Sequence, residues 1–251
     1  MLKRRVIPVL LLRGKRCVKG KQFGGFRDTG DPVMATRVYN AQAADELIFL
    51  DIDATNEGRP PMLDVVEKVS EEAFMPFTFG GGIRTVEDVR RALAAGADKV
   101  VITTAAVLDP QFVASVAETF GSQCVIAGID VRRESGRYAV YTHSGRRRAE
   151  IGFVDLIRRL DAAGAGEILI NSIDEDGMMR GYDLDLVKVA ASTTKKPVIA
   201  CGGAGNYGHL AEAFRAGAHA VACASLFHFG DNNPPRVRAF LKNAGFPVKD
   251  V

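Results

Sequence analysis

The chain has 251 residues, with 33 lysines and arginines against 30 aspartates and glutamates, a formal net charge of +3. That balance is too small to argue for nucleic acid, and 47% hydrophobic with 25% charged residues is ordinary for a soluble globular protein with a sizeable core. No apolar stretch is long enough to cross a bilayer, and Cys17, Cys124, Cys201 and Cys223 include no CxxC pair, so neither a zinc site nor a disulfide framework is signalled and a reduced, cytoplasmic setting fits.

The start, MLKRRVIPVLLLRGKR, has the outline of a leader peptide, but its apolar run is short, contains Pro8 and meets Arg13 at once. It reads as a buried first strand over 6–11. The polar, glycine-rich stretch 13–31 that follows is far longer than the ~2–6 residues of an ordinary strand-to-helix connection and reads as a substrate lid. Further strands are expected at 47–52, 77–79, 100–103, 124–129, 168–171, 198–200 and 221–224. They alternate with helical patterns at 31–43, 60–72, 86–95, 110–119, 152–163, 184–193, 207–216 and 234–243. Thr85 to Asp88 resembles a capping box, and Asp109-Pro110 places a proline at a first helical position.

Strands this continuously apolar must be covered on both faces, and their alternation with helices calls for parallel crossovers. The order predicts an α/β fold, a (β/α)8 TIM barrel, in one domain over 1–251. An internal repeat supports closure over an open doubly wound sheet. At a spacing of 121 residues Pro76 pairs with Pro197, Gly81-Gly82 with Gly202-Gly203, Glu46 with Glu167 and Thr104 with Ser225. The two (β/α)4 halves are expected at about 1–120 and 121–251. At the half-starts the offset slips to 119, and there Leu11 stands opposite Asp130.

The paired glycines end strands three and seven, and Thr104 and Ser225 follow strands four and eight. Exposed N–H groups and a hydroxyl at such turns suit phosphate oxygens, although a tight turn alone would also use the glycines. Two cradles across one barrel mouth imply a small molecule with a phosphate at each end. Asp51, Asp53, Asp130, Asp174 and Asp176 all fall at strand C-terminal ends, where this fold carries its chemistry. Asp130 is the preferred proton-transfer group, while Asp51, Asp53 and Asp174 are equally explained by structural hydrogen bonds. Leu11 cannot transfer a proton, so half of a symmetric pair is missing unless another carboxylate or Lys19 replaces it.

At the opposite end Arg5, Glu46, Lys99 and Glu167 each precede an apolar strand run. A salt-bridged ring there would by itself be a structural plug. The basic clusters at 3–5 and 146–148 have no interleaved aromatics and read as solvated loop charge.

VKGKQF, FRDTGDPV, DELIFLDIDA, FTFGGGI, GADKVVITTAAV, GAGEILINSIDEDG, GGAG and SLFHF, in that order and spacing, resemble the cyclase subunit of imidazole glycerol phosphate synthase over essentially the whole chain. The resemblance implies a glutaminase docked on the N-terminal face and ammonia passing through the barrel to split and cyclise a bis-phosphorylated nucleotide, in histidine biosynthesis. It implies that Arg5, Glu46, Lys99 and Glu167 gate the ammonia entrance, and that Asp98 touches the partner. Asp130 and Lys19 would be the active residues, and Gly81, Gly82, Thr104, Asp176, Gly177, Gly202, Gly203 and Ser225 the phosphate-binding set. No cofactor, metal, nucleic acid or membrane is implied. The chain departs from the family at Leu11, where a second catalytic aspartate is expected, at Thr103, usually asparagine, and at Asn171, usually threonine.

LLL after the first strand, DIDA and NSIDEDGMMRGYD resemble instead a divergent branch associated with sugar amidation for surface polysaccharide, in which a third protein installs the ammonia. KGKQF and FRDTGDPV stay closer to the histidine-pathway enzyme. An ammonia-conducting subunit serving sugar amidation is the favoured expectation. An active cyclase, a non-catalytic scaffold that activates a glutaminase, and an isomerase barrel of the same pathway are the alternatives.

Overall fold

The computed structural model describes residues 3–250; residues 1, 2 and 251, the outermost ends of the leader-like start and of the two expected halves, lie outside it. The first half runs β1 (Arg5–Arg13), β2 (Arg16–Lys21), β3 (Gly24–Gly30), α1 (Pro32–Ala41), β4 (Leu47–Asp51), α2 (Ala54–Glu57), α3 (Leu63–Ser70), β5 (Phe77–Gly80), α4 (Val86–Ala94), β6 (Lys99–Ile102), α5 (Thr104–Leu108) and α6 (Pro110–Phe120). The second runs β7 (Val125–Glu134), β8 (Arg137–Thr142), β9 (Arg147–Gly152), α7 (Phe153–Ala162), β10 (Glu167–Ser172), α8 (Leu184–Thr193), β11 (Val198–Cys201), α9 (Tyr207–Arg215), β12 (Ala220–Cys223), α10 (Ser225–His228) and α11 (Pro234–Asn243).

Eight strands, β1, β4, β5, β6, β7, β10, β11 and β12, pair in parallel and close with β12 against β1, which is a (β/α)8 barrel with helices between its strands. The repeat is visible in its hydrogen bonds. Leu47 N donates to Pro76 O at 3.0 Å, and Ile168 N, 121 residues on, donates to Pro197 O at 2.9 Å. Helix boundaries follow local chemistry. Thr85 and Asp88 complete a reciprocal capping box at α4, and the Asp109 carboxylate caps α6 just before Pro110.

Alternate strand residues point to opposite sides, so the barrel divides two apolar populations. Ile7, Val9, Ile48, Val101, Ile126, Leu169 and Ile199 fill the lumen with Ala220 and Ala222, while the remaining core lies between strands and helices. Among the described residues no helix is long and apolar enough to cross a membrane.

Two stretches differ from the sequence expectation. Residues 13–31 form no irregular loop: β1 continues past the barrel and folds back as the antiparallel ribbon β2–β3, with Leu11 opposite Val18. The second half repeats the device, because β7 runs on to Glu134 and pairs with β8 and β9, placing Asp130 opposite Tyr141. Both ribbons satisfy backbone groups that a bare loop at the mouth would leave to water.

Candidate active site

The C-terminal ends of the barrel strands surround a cavity of about 560 Å³. All ten residues expected to bind or react, Asp130 and Lys19 with Gly81, Gly82, Thr104, Asp176, Gly177, Gly202, Gly203 and Ser225, line it, and so does Leu11. Its floor is the top of the apolar lumen, since Val9, Val101, Leu169 and Ala222 belong to both.

Asp130 stands on β7 opposite Asn171 of β10, whose Nδ2 donates to Asp130 Oδ1 at 3.4 Å. Burial pushes the Asp130 carboxyl up to about 7; the Asn171 contact works against this, and the charge of Asp176 adds to it. A carboxylic acid poised there holds or releases its proton near neutrality. Leu11 occupies the matching position on β1 and packs against the lumen core, so the two symmetry-related strand ends present one acid and one hydrocarbon.

Lys19 projects from β2 and is 2% exposed, with Nζ 2.7 Å from Asp176 Oδ1. The other carboxylate oxygen of Asp176, the Asn171 Oδ1 and the Ser225 hydroxyl are buried polar atoms without a partner among the described residues. Such groups call for a partner, which ordered water or a bound ligand supplies. His228, half-buried near Lys19, is pushed down to about 4 by desolvation and then by the lysine charge, so its ring is neutral at ordinary pH.

The other acids at the mouth are internally satisfied. Asp51, 4% exposed, takes Arg59 Nη1 at 2.5 Å and Nη2 at 2.8 Å, Asp53 takes Arg13 Nε at 2.8 Å, and Asp174 accepts from Arg133 N at 2.7 Å. Backbone packing accounts for the glycine turns by itself: a Cβ at Gly81 would overlap Asp51 O and one at Gly203 would overlap Gly181 O, and both residues have left-handed φ. The Thr104 hydroxyl accepts from His143 N at 3.0 Å.

At the N-terminal end Arg5, Glu46, Lys99 and Glu167 form a closed ring. Arg5 Nη1 lies 2.8 Å from Glu46, its Nη2 pairs with Glu167, and Lys99 Nζ lies 2.7 Å from Glu167 and 3.3 Å from Glu46. Burial opposes the charge on Glu167, but Arg5 and then Lys99 outweigh it and hold the carboxyl below its ordinary range. Asp98 is exposed on the same face, and its carboxylate accepts from Phe77 N at 2.9 Å.

Sequence reasoning missed the second ribbon, and with it His143, Ser144 and Arg146 at the mouth; Arg84, Phe23 and Phe26 line the cavity too. Arg146 to Arg148 are all exposed, as expected of solvated charge, with Arg146 in the turn between β8 and β9; Arg146 also borders the cavity, whereas Arg147 and Arg148 do not. The alternation in RYAVYT before HSGR was the available clue. The ribbon tips meet: the Phe23 ring lies against Gly145, and Ser144 Oγ donates to Ile52 O at 2.7 Å.

Residues 5–233, nearly the whole chain, match the family described as histidine biosynthesis protein, and the chain belongs to that family.

Proposed function

We propose that this chain, within the histidine biosynthesis protein family, is the ammonia-accepting barrel subunit of a glutamine amidotransferase pair, performing no histidine-pathway ring closure itself and serving sugar amidation for surface polysaccharide. The observation that carries this reading is the salt-bridged ring at the N-terminal end, set beneath a lumen of aliphatic side chains that opens into the cavity. A small neutral molecule such as ammonia partitions into an apolar passage where ions do not. Its source is a glutaminase docked on the face that carries Asp98, and a third protein receives the ammonia.

Leu11 supports the loss of the ancestral ring closure, because that strand end offers no proton-transfer group. Its nearest substitutes are engaged: Asp51 is clamped by Arg59 and Lys19 by Asp176. A second reading, an active cyclase, draws on Asp176, whose free buried oxygen faces the same mouth as the near-neutral Asp130. Asp130, poised near neutrality, would then exchange a proton with the substrate beside a second carboxylate at the same mouth.

The two readings separate in an ammonium-dependent cyclisation assay with the bis-phosphorylated aminoimidazole carboxamide nucleotide, comparing the wild-type protein with Leu11→Asp. The favoured reading expects little turnover by wild type and a large gain in the variant. Efficient turnover by wild type overturns it and establishes the cyclase.

A further inference from the structure

The first-half end of the cavity carries positive charge that no carboxylate of the protein neutralises. Arg84 follows the Gly81-Gly82 turn, Arg146 lies in the β8–β9 turn, and both line the cavity, as Thr104 does. The β8–β9 turn is anchored there. His143 N donates to Thr104 Oγ1 at 3.0 Å, and Arg146 N closes the turn on Thr142 O at 3.1 Å.

The acids at this end are committed elsewhere: Asp51 to Arg59, Asp53 to Arg13, and Asp109 to capping α6 through Gln111 N. Among the described residues neither Arg84 nor Arg146 forms a salt bridge. The Arg84 side chain donates only to Gly58 O, at 3.1 Å. Arg148, two residues beyond Arg146, differs on both counts, since it lies outside the cavity lining and pairs with Glu134 at 3.0 Å. Position, not the basic run itself, sets Arg146 apart.

We propose that Arg84 and Arg146 form a two-sided cationic clasp for the phosphate held at Gly82 and Thr104, with Arg146 carried to the first-half cradle by the ribbon of the second half. This rests on the reading of the glycine turns as phosphate cradles. Guanidinium groups suit the task because their fork of donors matches two phosphate oxygens at once. The clasp is lopsided by construction. At the second-half cradle the charge comes from buried Lys19, already shared with Asp176, whereas the first-half cradle draws on two exposed arginines with no competing acid.

The test is titration of the 15N-labelled protein with inorganic phosphate, following the amides of Gly82 and Gly203 as separate reporters. Both move in the wild-type protein. Arg146→Gln and Arg84→Gln each weaken the Gly82 response about tenfold, the scale of a lost charge-assisted contact, and leave Gly203 unchanged. Arg148→Gln changes neither. An unaltered Gly82 response in the Arg84→Gln/Arg146→Gln double variant overturns the clasp and leaves the cradles standing, as does an equal loss in Arg148→Gln, which would trace the effect to general charge. Silence at both glycines in the wild-type protein removes the cradle reading, and the clasp with it.

Discussion

Lys19 Nζ lies 2.7 Å from Asp176 Oδ1, and this buried ion pair fastens the ribbon of the first half-barrel to the loop after β10 in the second. Gln22 reinforces it through its backbone N on Asp176 O at 2.8 Å and its Nε2 on Asp174 O at 2.9 Å. Removing one member of a buried pair strands the other, at a cost of about 3–5 kcal/mol if nothing moves. The ribbon edges the mouth, so undocking relieves that cost more cheaply than unfolding the barrel. Lys19→Met is therefore expected to speed amide exchange at Gln22 by about a hundredfold while the β10 amides keep their protection, with Lys19→Met/Asp176→Asn recovering most of the loss. Unchanged protection at Gln22 in the single variant would show that the pair does not hold the ribbon.

Asp130 carries a pH signature of opposite sign to most carboxylates. Its folded value is raised to about 7, so the native state binds a proton that the unfolded chain has already released above about pH 4. Stability from this group is complete below about pH 4 and is lost as pH climbs through 7. Asp130→Asn, which keeps the shape without the charge, is expected to be nearly neutral at pH 4 and to raise Tm by about 4 °C at pH 8. Equal Tm increments at the two pH values would rule out a buried, perturbed carboxyl.

The barrel was legible because its information is local. Apolar runs, the Thr85 capping box and the Asp109-Pro110 start are readable within a few residues, and the 121-residue repeat favoured closure of like halves over an open sheet. The positions of Leu11 and Asp130 on matching strand ends followed from that symmetry. What escaped was set by tertiary pairing. The ribbon strands are short and partly exposed, and β2 and β3 are rich in glycine and charge, so their apolar alternation is weak; only pairing with the strand before them makes them sheet. The Lys19 and Asp176 contact joins residues 157 positions apart, and the different fates of Arg146 and Arg148 depend on one lying in the turn and the other on β9.

Gly177 sits where the same ribbon comes closest to the second half. Its φ is +73°, and a Cβ there would overlap Gly20 O, a backbone atom that no side-chain rotation moves aside. Gly177→Ala should therefore displace the ribbon even though the Lys19 and Asp176 side chains are untouched. The expected result is raised protease sensitivity between residues 20 and 30 with a global Tm lowered by a few degrees. An intact ribbon would mean that the loop after β10 yields instead.

The ring at the other end separates charge from closure. Arg5 touches both glutamates through two nitrogens, whereas Lys99 offers a single one, so Arg5→Met should cost about 2 kcal/mol and Lys99→Met about half of that. Glu167 is held below its ordinary range despite burial, so its contribution is present above about pH 4.5 and disappears as pH falls through the lower folded value. The penalty of Arg5→Met should accordingly shrink as pH falls through that lowered value, where Glu167 protonates even with the arginine beside it. Denaturant melts of the two variants at pH 7 and pH 4 measure both orderings. A penalty independent of pH would mean that Arg5 stabilises by packing its methylenes, and the ring would then close the lumen by shape more than by charge.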